Sequence, residues 1–87
     1  MAEFEVKLPD LVEASGDDEA GDTGKVSFFY VEEGESVAEG DDLVELVTDK
    51  ATFNVPSPKT GSVARILVAE DDDVKVGQVL CVLEVEG

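Results

Sequence analysis

The sequence predicts an all-β domain made of two small antiparallel sheets packed face to face with approximate two-fold symmetry. Three observations predict it. Valines and other strand formers recur at a period of two; glycines and acidic turn residues interrupt them at short intervals; and one half of the chain can be laid over the other. No stretch keeps an apolar 3.6-residue period long enough for a useful helix. The 87 residues, 1–87, suit a single small domain. A chain of that size buries roughly 60–65% of its unfolded surface, which leaves little room for a large internal cleft.

The first element is "EFEVKL", where Phe4, Val6 and Leu8 alternate with Glu3, Glu5 and Lys7, as in a strand with one face in the core. The pattern then stops. The text from about residue 9 to 24, "PDLVEASGDDEAGDTG", is polar, acidic and glycine-containing and reads as a long surface loop whose Leu11 and Val12 could tuck back onto the sheets. Next come two segments related by a constant offset of 37 residues, spanning 24–46 and 61–83. Gly24 meets Gly61, Val26 meets Val63, Phe29 meets Ile66, Val31 meets Val68, Gly40 meets Gly77 and Leu46 meets Leu83. This is an internal duplication of a strand, turn, short strand, glycine turn, strand unit. Two such units hide their edges best by packing on one another, with the first and last strands completing the sheets.

Between the units stands "VTDKATFNVPSP". "LVELV" and "ATFNV" read as strands, leaving Thr48, Asp49 and Lys50 for a tight reversal, opened by an aspartate that can bond to the backbone two residues on. Pro56 and Pro58 remove two donors, so "VPSP" ends the second arm. Lys50 then falls at an exposed tip. On pattern alone such a lysine is either solvated filling or a handle for a modifying enzyme, since a long amine on a stiff turn reaches away from the sheet. Nothing indicates the buried lysine that Schiff-base chemistry needs.

Composition narrows the rest. Six basic against 22 acidic residues give a net charge of −16, which disfavours nucleic acid and anionic membranes and favours basic protein surfaces; adaptation to salt would give the same excess. The charged start and the short apolar runs give no signal peptide or membrane span. There is no histidine, and the single Cys81, within "VLCVLEV", reads as a small buried hydrophobe.

With "VKLPD" near the start, the central "FYVEEGESVAEGDDLVELVTDKATFNVPSPKTGSV" and "ILVAEDDDVKVGQVL" toward the end, the chain resembles a lipoyl domain of the 2-oxoacid dehydrogenase acyltransferase type from about residue 3 to 84. The resemblance implies the family's flattened barrel-sandwich of two small sheets. It also implies lipoate held covalently as a lipoyl amide on Lys50, with Asp49 and Ala51 as the flanking residues shown to the lipoate-attaching enzyme. The implied work is to take up an acyl group by reductive acylation and shuttle it among a 2-oxoacid decarboxylase, an acyltransferase core and dihydrolipoyl dehydrogenase. The domain itself would be non-catalytic and monomeric.

Biotin carriers share the fold, but their lysine sits between methionines, whereas Met1 is the only methionine here. A glycine-cleavage-type or free-standing lipoyl carrier, or an unmodified interaction module of the same fold, would also suit these residues. The implied setting is cytoplasmic in a prokaryote, or the mitochondrial matrix for a domain excised from a eukaryotic acyltransferase. Two departures from the pattern stand out. Val47 occupies the place of the family's usual glutamate, and its period-two position allows an inward-facing side chain. The loop after "LPD" is longer than usual, and Asp17, Asp18, Glu19 and Asp22 are expected to make the face beside Lys50 negative and select a basic partner.

Overall fold

The computed structural model describes residues 2–10, 21–48 and 51–86. Among the described residues eight strands follow one another: β1 (Ala2–Lys7), β2 (Thr23–Phe29), β3 (Ser36–Val37), β4 (Asp42–Val47), β5 (Thr52–Pro56), β6 (Gly61–Ile66), β7 (Asp73–Lys75) and β8 (Val79–Val85). They form two four-stranded antiparallel sheets, ordered β1-β8-β6-β3 and β5-β4-β2-β7. The sheets stay open and do not close into a barrel. Among the described residues there is no helix, and so none long and apolar enough to cross a membrane.

The sheets do not divide the chain at its midpoint. β3 lies at the edge of the sheet built on β6 and β8, while β7 lies at the edge of the sheet built on β2 and β4. Each half therefore gives its short middle strand to the other half's sheet. Neither sheet can form without residues from both halves, which ties their folding together.

The register repeats at the offset of 37. β2 against β4 carries a bulge between Val26 and Phe28, and β6 against β8 carries one between Val63 and Arg65. Turn hydrogen bonds match as well: Tyr30 N–H donates to the Leu43 carbonyl and Leu67 N–H to that of Leu80. The bulges matter because an extra residue reverses which side chains face inward. After the first bulge Phe29 packs on the core while Phe28 faces out.

Between the sheets Val6, Leu8, Val26, Leu43, Val44, Leu46, Val55, Val63, Val74, Leu80, Cys81 and Leu83 are all buried. Valine and leucine dominate because β-branched and compact side chains fill two half-buried pleated faces well. The proline exit is pinned: Ser57 is buried, its hydroxyl donates to the Lys59 carbonyl at 2.6 Å, and its N–H donates to the Asp41 carbonyl at 2.7 Å.

One turn is strained where its counterpart is not. Asp71 has φ of 70°, and Gly34, 37 positions earlier, has φ of 91°. A left-handed backbone costs an aspartate more than a glycine. Asp71 also stands in the acidic run Glu70–Asp73. Asp71→Gly is therefore expected to raise stability by about 0.5–1 kcal/mol, read as a higher urea midpoint with unchanged slope.

Candidate functional site

β4 and β5 form a hairpin whose last pair is Val47 with Thr52. Beyond that pair the reversal is closed by Thr48 and Ala51. Thr48 N–H donates to the Ala51 carbonyl at 2.8 Å, the Thr48 hydroxyl donates to the same carbonyl at 3.2 Å, and Ala51 N–H donates to Thr48 Oγ1 at 3.1 Å. The threonine hydroxyl thus takes the amide that the opposing carbonyl would take in a plain hairpin. Asp49 and Lys50, the two residues between this pair in sequence, lie outside the described residues.

Thr48→Val keeps the shape and removes the hydroxyl. The closure should loosen by about 1 kcal/mol, seen as a roughly fivefold faster hydrogen exchange at the Ala51 amide.

Three other segments share the hairpin's end of the molecule. Lys25 pairs with Val47, and Gly24 approaches the same place, since a β-carbon there would meet the Val47 carbonyl and Thr48 Cγ2. Asp22 is fixed at the start of β2, where its carbonyl accepts from Val76 N–H at 2.9 Å and its carboxylate accepts from the Thr23 hydroxyl at 3.2 Å. Leu8, at the other end of the long loop, exchanges backbone bonds with Gly77 and Gln78. Both ends of the acidic loop are therefore tied to the turn at residues 76–78, two strand spacings, about 10 Å, from the hairpin arm. Asp17, Asp18 and Glu19 lie outside the described residues.

Ala2 and Val85, near the chain's ends, pair at the far end of sheet β1-β8-β6-β3. That end is opposite the hairpin, because Lys7 and Val79 at the near end adjoin the 76–78 turn. The longest dimension of the molecule is 38 Å.

Val47 does not face inward. It is 37% exposed, because the bulge between Asp42 and Val44 lets Leu43 and Val44 both enter the core and turns Glu45 and Val47 outward. The outer row beside the hairpin runs Thr52, Val47, Lys25, Asp73 across the sheet. Sequence reasoning assigns Lys25 no role; its position one strand from Val47 depends on register.

Cys81 is fully buried, and burial pushes its thiol from 9.0 up to about 11. It stays protonated near neutrality, and since the thiolate is the exchanging species, it takes no part in thiol–disulfide chemistry at the surface. Among the described residues no cluster of three acidic or cysteine side chains could hold a metal ion. The arrangement offers presentation: two paired arms whose ends are joined by a threonine clamp between Thr48 and Ala51.

Residues 5–83 match the family model described as "Biotin-requiring enzyme", which covers biotin and lipoyl attachment domains. The chain is 41% identical over 61 residues to the mitochondrial dihydrolipoyllysine-residue acetyltransferase component of the pyruvate dehydrogenase complex of Caenorhabditis elegans, covering 69% of this chain and 12% of that protein. It is 31% identical over all 87 residues to the lipoamide acyltransferase component of the branched-chain alpha-keto acid dehydrogenase complex of Bacillus subtilis, covering 19% of that protein. The chain thus spans less than a fifth of the length of these relatives. Among solved structures, the lipoyl domain of the 2-oxoglutarate dehydrogenase complex of Azotobacter vinelandii superposes with a TM-score of 0.71 at 28% identity, over 95% of this chain and 98% of that one.

Proposed function

The chain belongs to the family of biotin- and lipoyl-bearing domains, as a domain of the lipoyl type, and from that premise we propose that it is a swinging-arm carrier with lipoate joined to Lys50. The observation that supports this most directly is the clamp of Thr48 on Ala51, which brackets the two-residue segment Asp49–Lys50 at one end of a rigid two-sheet body. An amide on a surface lysine needs no cavity, only a presented amine and recognisable flanks. Ala51 is half-buried and held on both its amide and its carbonyl, so it fixes where the second arm begins.

A lipoyl group supplies a disulfide that can be opened reductively, accept an acyl group and hand it on. The protein's own residues have quieter tasks. Thr48, Ala51 and the arms set the reversal; the proline exit with buried Ser57 stiffens its return; and Asp22, tied to Val76, anchors the acidic loop at the same end. The pairing of Ala2 with Val85 leaves the chain ends away from the arm, so a body joined there would leave the hairpin clear. Charge of −16 suits brief encounters with basic enzyme surfaces more than lasting apolar ones.

The partners in this reading are a lipoate-attaching enzyme, a 2-oxoacid decarboxylase, an acyltransferase core and dihydrolipoyl dehydrogenase, and the protein works as a monomeric module. Its compartment follows that of the complex, cytoplasmic in a prokaryote or the mitochondrial matrix in a eukaryote. The test is direct. Protein loaded with lipoate is incubated with a 2-oxoacid decarboxylase and its 2-oxoacid, and the intact mass is followed. An added acyl group on loaded protein, and none on unloaded protein, is the expected result; equal labelling of both would refute the carrier role.

A further inference from the structure

The outer face of sheet β5-β4-β2-β7 carries an aromatic pair that neither the core nor the hairpin uses. Phe28 and Tyr30 meet edge to face, with ring centroids 4.7 Å apart and planes at 68°. Tyr30 is 43% exposed and yet fixed. Its hydroxyl donates to Asn54 Oδ1 at 3.0 Å, and Asn54 Nδ2 donates to Asp42 Oδ2 at 3.2 Å. Because β4 lies between β2 and β5, the tyrosine side chain crosses β4 to reach Asn54. Glu45 stands in the same cross-strand row as Phe28 and Asn54. Among the described residues neither Glu45 nor Asp42 makes an ion pair.

The other sheet shows what such a face accepts. The positions 37 residues after Phe28 and Glu45 are Arg65 and Val82. There the Arg65 guanidinium crosses β8 and grips Glu3 with two bonds, Nη1 to Oε2 at 3.1 Å and Nη2 to Oε1 at 3.2 Å, and Val82 in the row between is buried. One sheet brings its own guanidinium over the middle strand. Its counterpart presents an aromatic ring and carboxylates in the corresponding place, and among the described residues no cation is paired with them.

We propose that this face docks a basic protein surface by taking one of its arginines over the Tyr30 ring and against Glu45 and Asp42. A guanidinium stacks on an aromatic face and pairs with a carboxylate in the same plane, which an ammonium does less well. The hydrogen-bonded tyrosine has already lost its rotational freedom, so less ordering is required on binding. The net charge of −16 draws basic surfaces in, and the short-range contact selects where they settle. Glu45 and Val47 are successive outward residues of β4, about 7 Å apart, so a protein seated here lies beside the hairpin. The identity of that protein as an enzyme serving the arm rests on the carrier reading; the arginine site does not.

The probe is the peptide acetyl-Gly-Arg-Gly-Arg-Gly-amide, titrated by NMR into the intact chain, with the neutral citrulline analogue as control. Shifts centred on Phe28, Tyr30, Glu45 and Asn54 are expected, at least about fivefold weaker with citrulline, with Glu45→Gln and with Tyr30→Leu, a difference of about 1 kcal/mol. Leucine is what the other half carries at the equivalent Leu67, so Tyr30→Leu should fold. Shifts spread evenly over the acidic surface, or equal affinity in Tyr30→Leu, would overturn the proposal. As a second readout, Tyr30→Leu loaded with lipoate should show a KM raised about fivefold for reductive acylation by the decarboxylase. An unchanged KM with complete loading sinks docking of the decarboxylase on this face and leaves the carrier standing, while the peptide titration decides the arginine site. Failure to load Lys50 in the parent protein sinks the carrier, and the peptide titration then decides the docking by itself.

Discussion

Lys50→Arg should abolish covalent loading altogether. After expression with lipoate and an attaching enzyme, the parent protein is expected to gain the mass of one lipoyl group, mapped to the peptide holding Lys50, while the variant gains none. Arginine keeps the positive charge and a long apolar stem, but its guanidinium does not give up a proton near neutrality and forms no such amide. Electrostatic recognition by the attaching enzyme is thereby preserved and only the acceptor chemistry is lost. Stability should change by no more than about 0.5 kcal/mol, because the closure of the reversal rests on Thr48 and Ala51. A variant that still gained the group, on Lys25 or Lys75 at the same end of the molecule, would show that the site is chosen by neighbourhood and not by the turn. The mass would also separate lipoate from biotin.

The largest effect on stability is expected from a single methyl group at Gly61. This glycine starts β6 beside β8, and a β-carbon there would collide with the backbone carbonyl oxygen of Glu84 and touch Val85 Cγ1 at 3.0 Å. A carbonyl held in a sheet cannot swing aside as a flexible side chain can, so the strands must separate locally. Gly61→Ala should cost about 2–4 kcal/mol, a large part of the stability of a domain this small. The 37-offset partner supplies the control. At Gly24 the same added carbon meets the Val47 carbonyl at 3.6 Å and Thr48 Cγ2 at 3.7 Å, which is ordinary contact. Gly24→Ala should therefore lie within about 0.5 kcal/mol of the parent in urea unfolding. Equal losses at both positions would mean that the glycines are required by backbone conformation and not by close approach.

The two glycines illustrate how far the sequence reaches. They align in the repeat, and nothing in the letters says that one is crowded and the other is not. The difference arises where the neighbouring strand ends. β8 runs past Gly61 to Val85, while β4 stops at Val47 and turns away into the hairpin beside Gly24.

The outward aromatic pair is hidden from the sequence for a related reason. Strict alternation from Val26 would send Phe28 and Tyr30 inward. The bulge reverses the phase, and Phe29 and Val31 go in instead. A signal does exist in the repeat, since Phe28 aligns with Arg65, a residue unsuited to the core. Of the two orientations open to Val47 in the sequence, a second bulge selects the outward one, putting Leu43 and Val44 together into the core and leaving Val47 exposed.

The sequence by itself determined the class of fold and the place of the hairpin. Alternating valines demand half-buried strands, glycines and acids punctuate them, and the text around "TDKA" leaves room for only a tight reversal. These are local properties, set by what each residue can adopt with its immediate neighbours. The tertiary structure alone decided which side chains share the outer face, that each half lends its short strand to the other, and that the acidic loop is tied at both ends to the turn near the hairpin. Those outcomes depend on register and bulges between strands far apart in the chain, and a one-residue slip in either exchanges inside for outside.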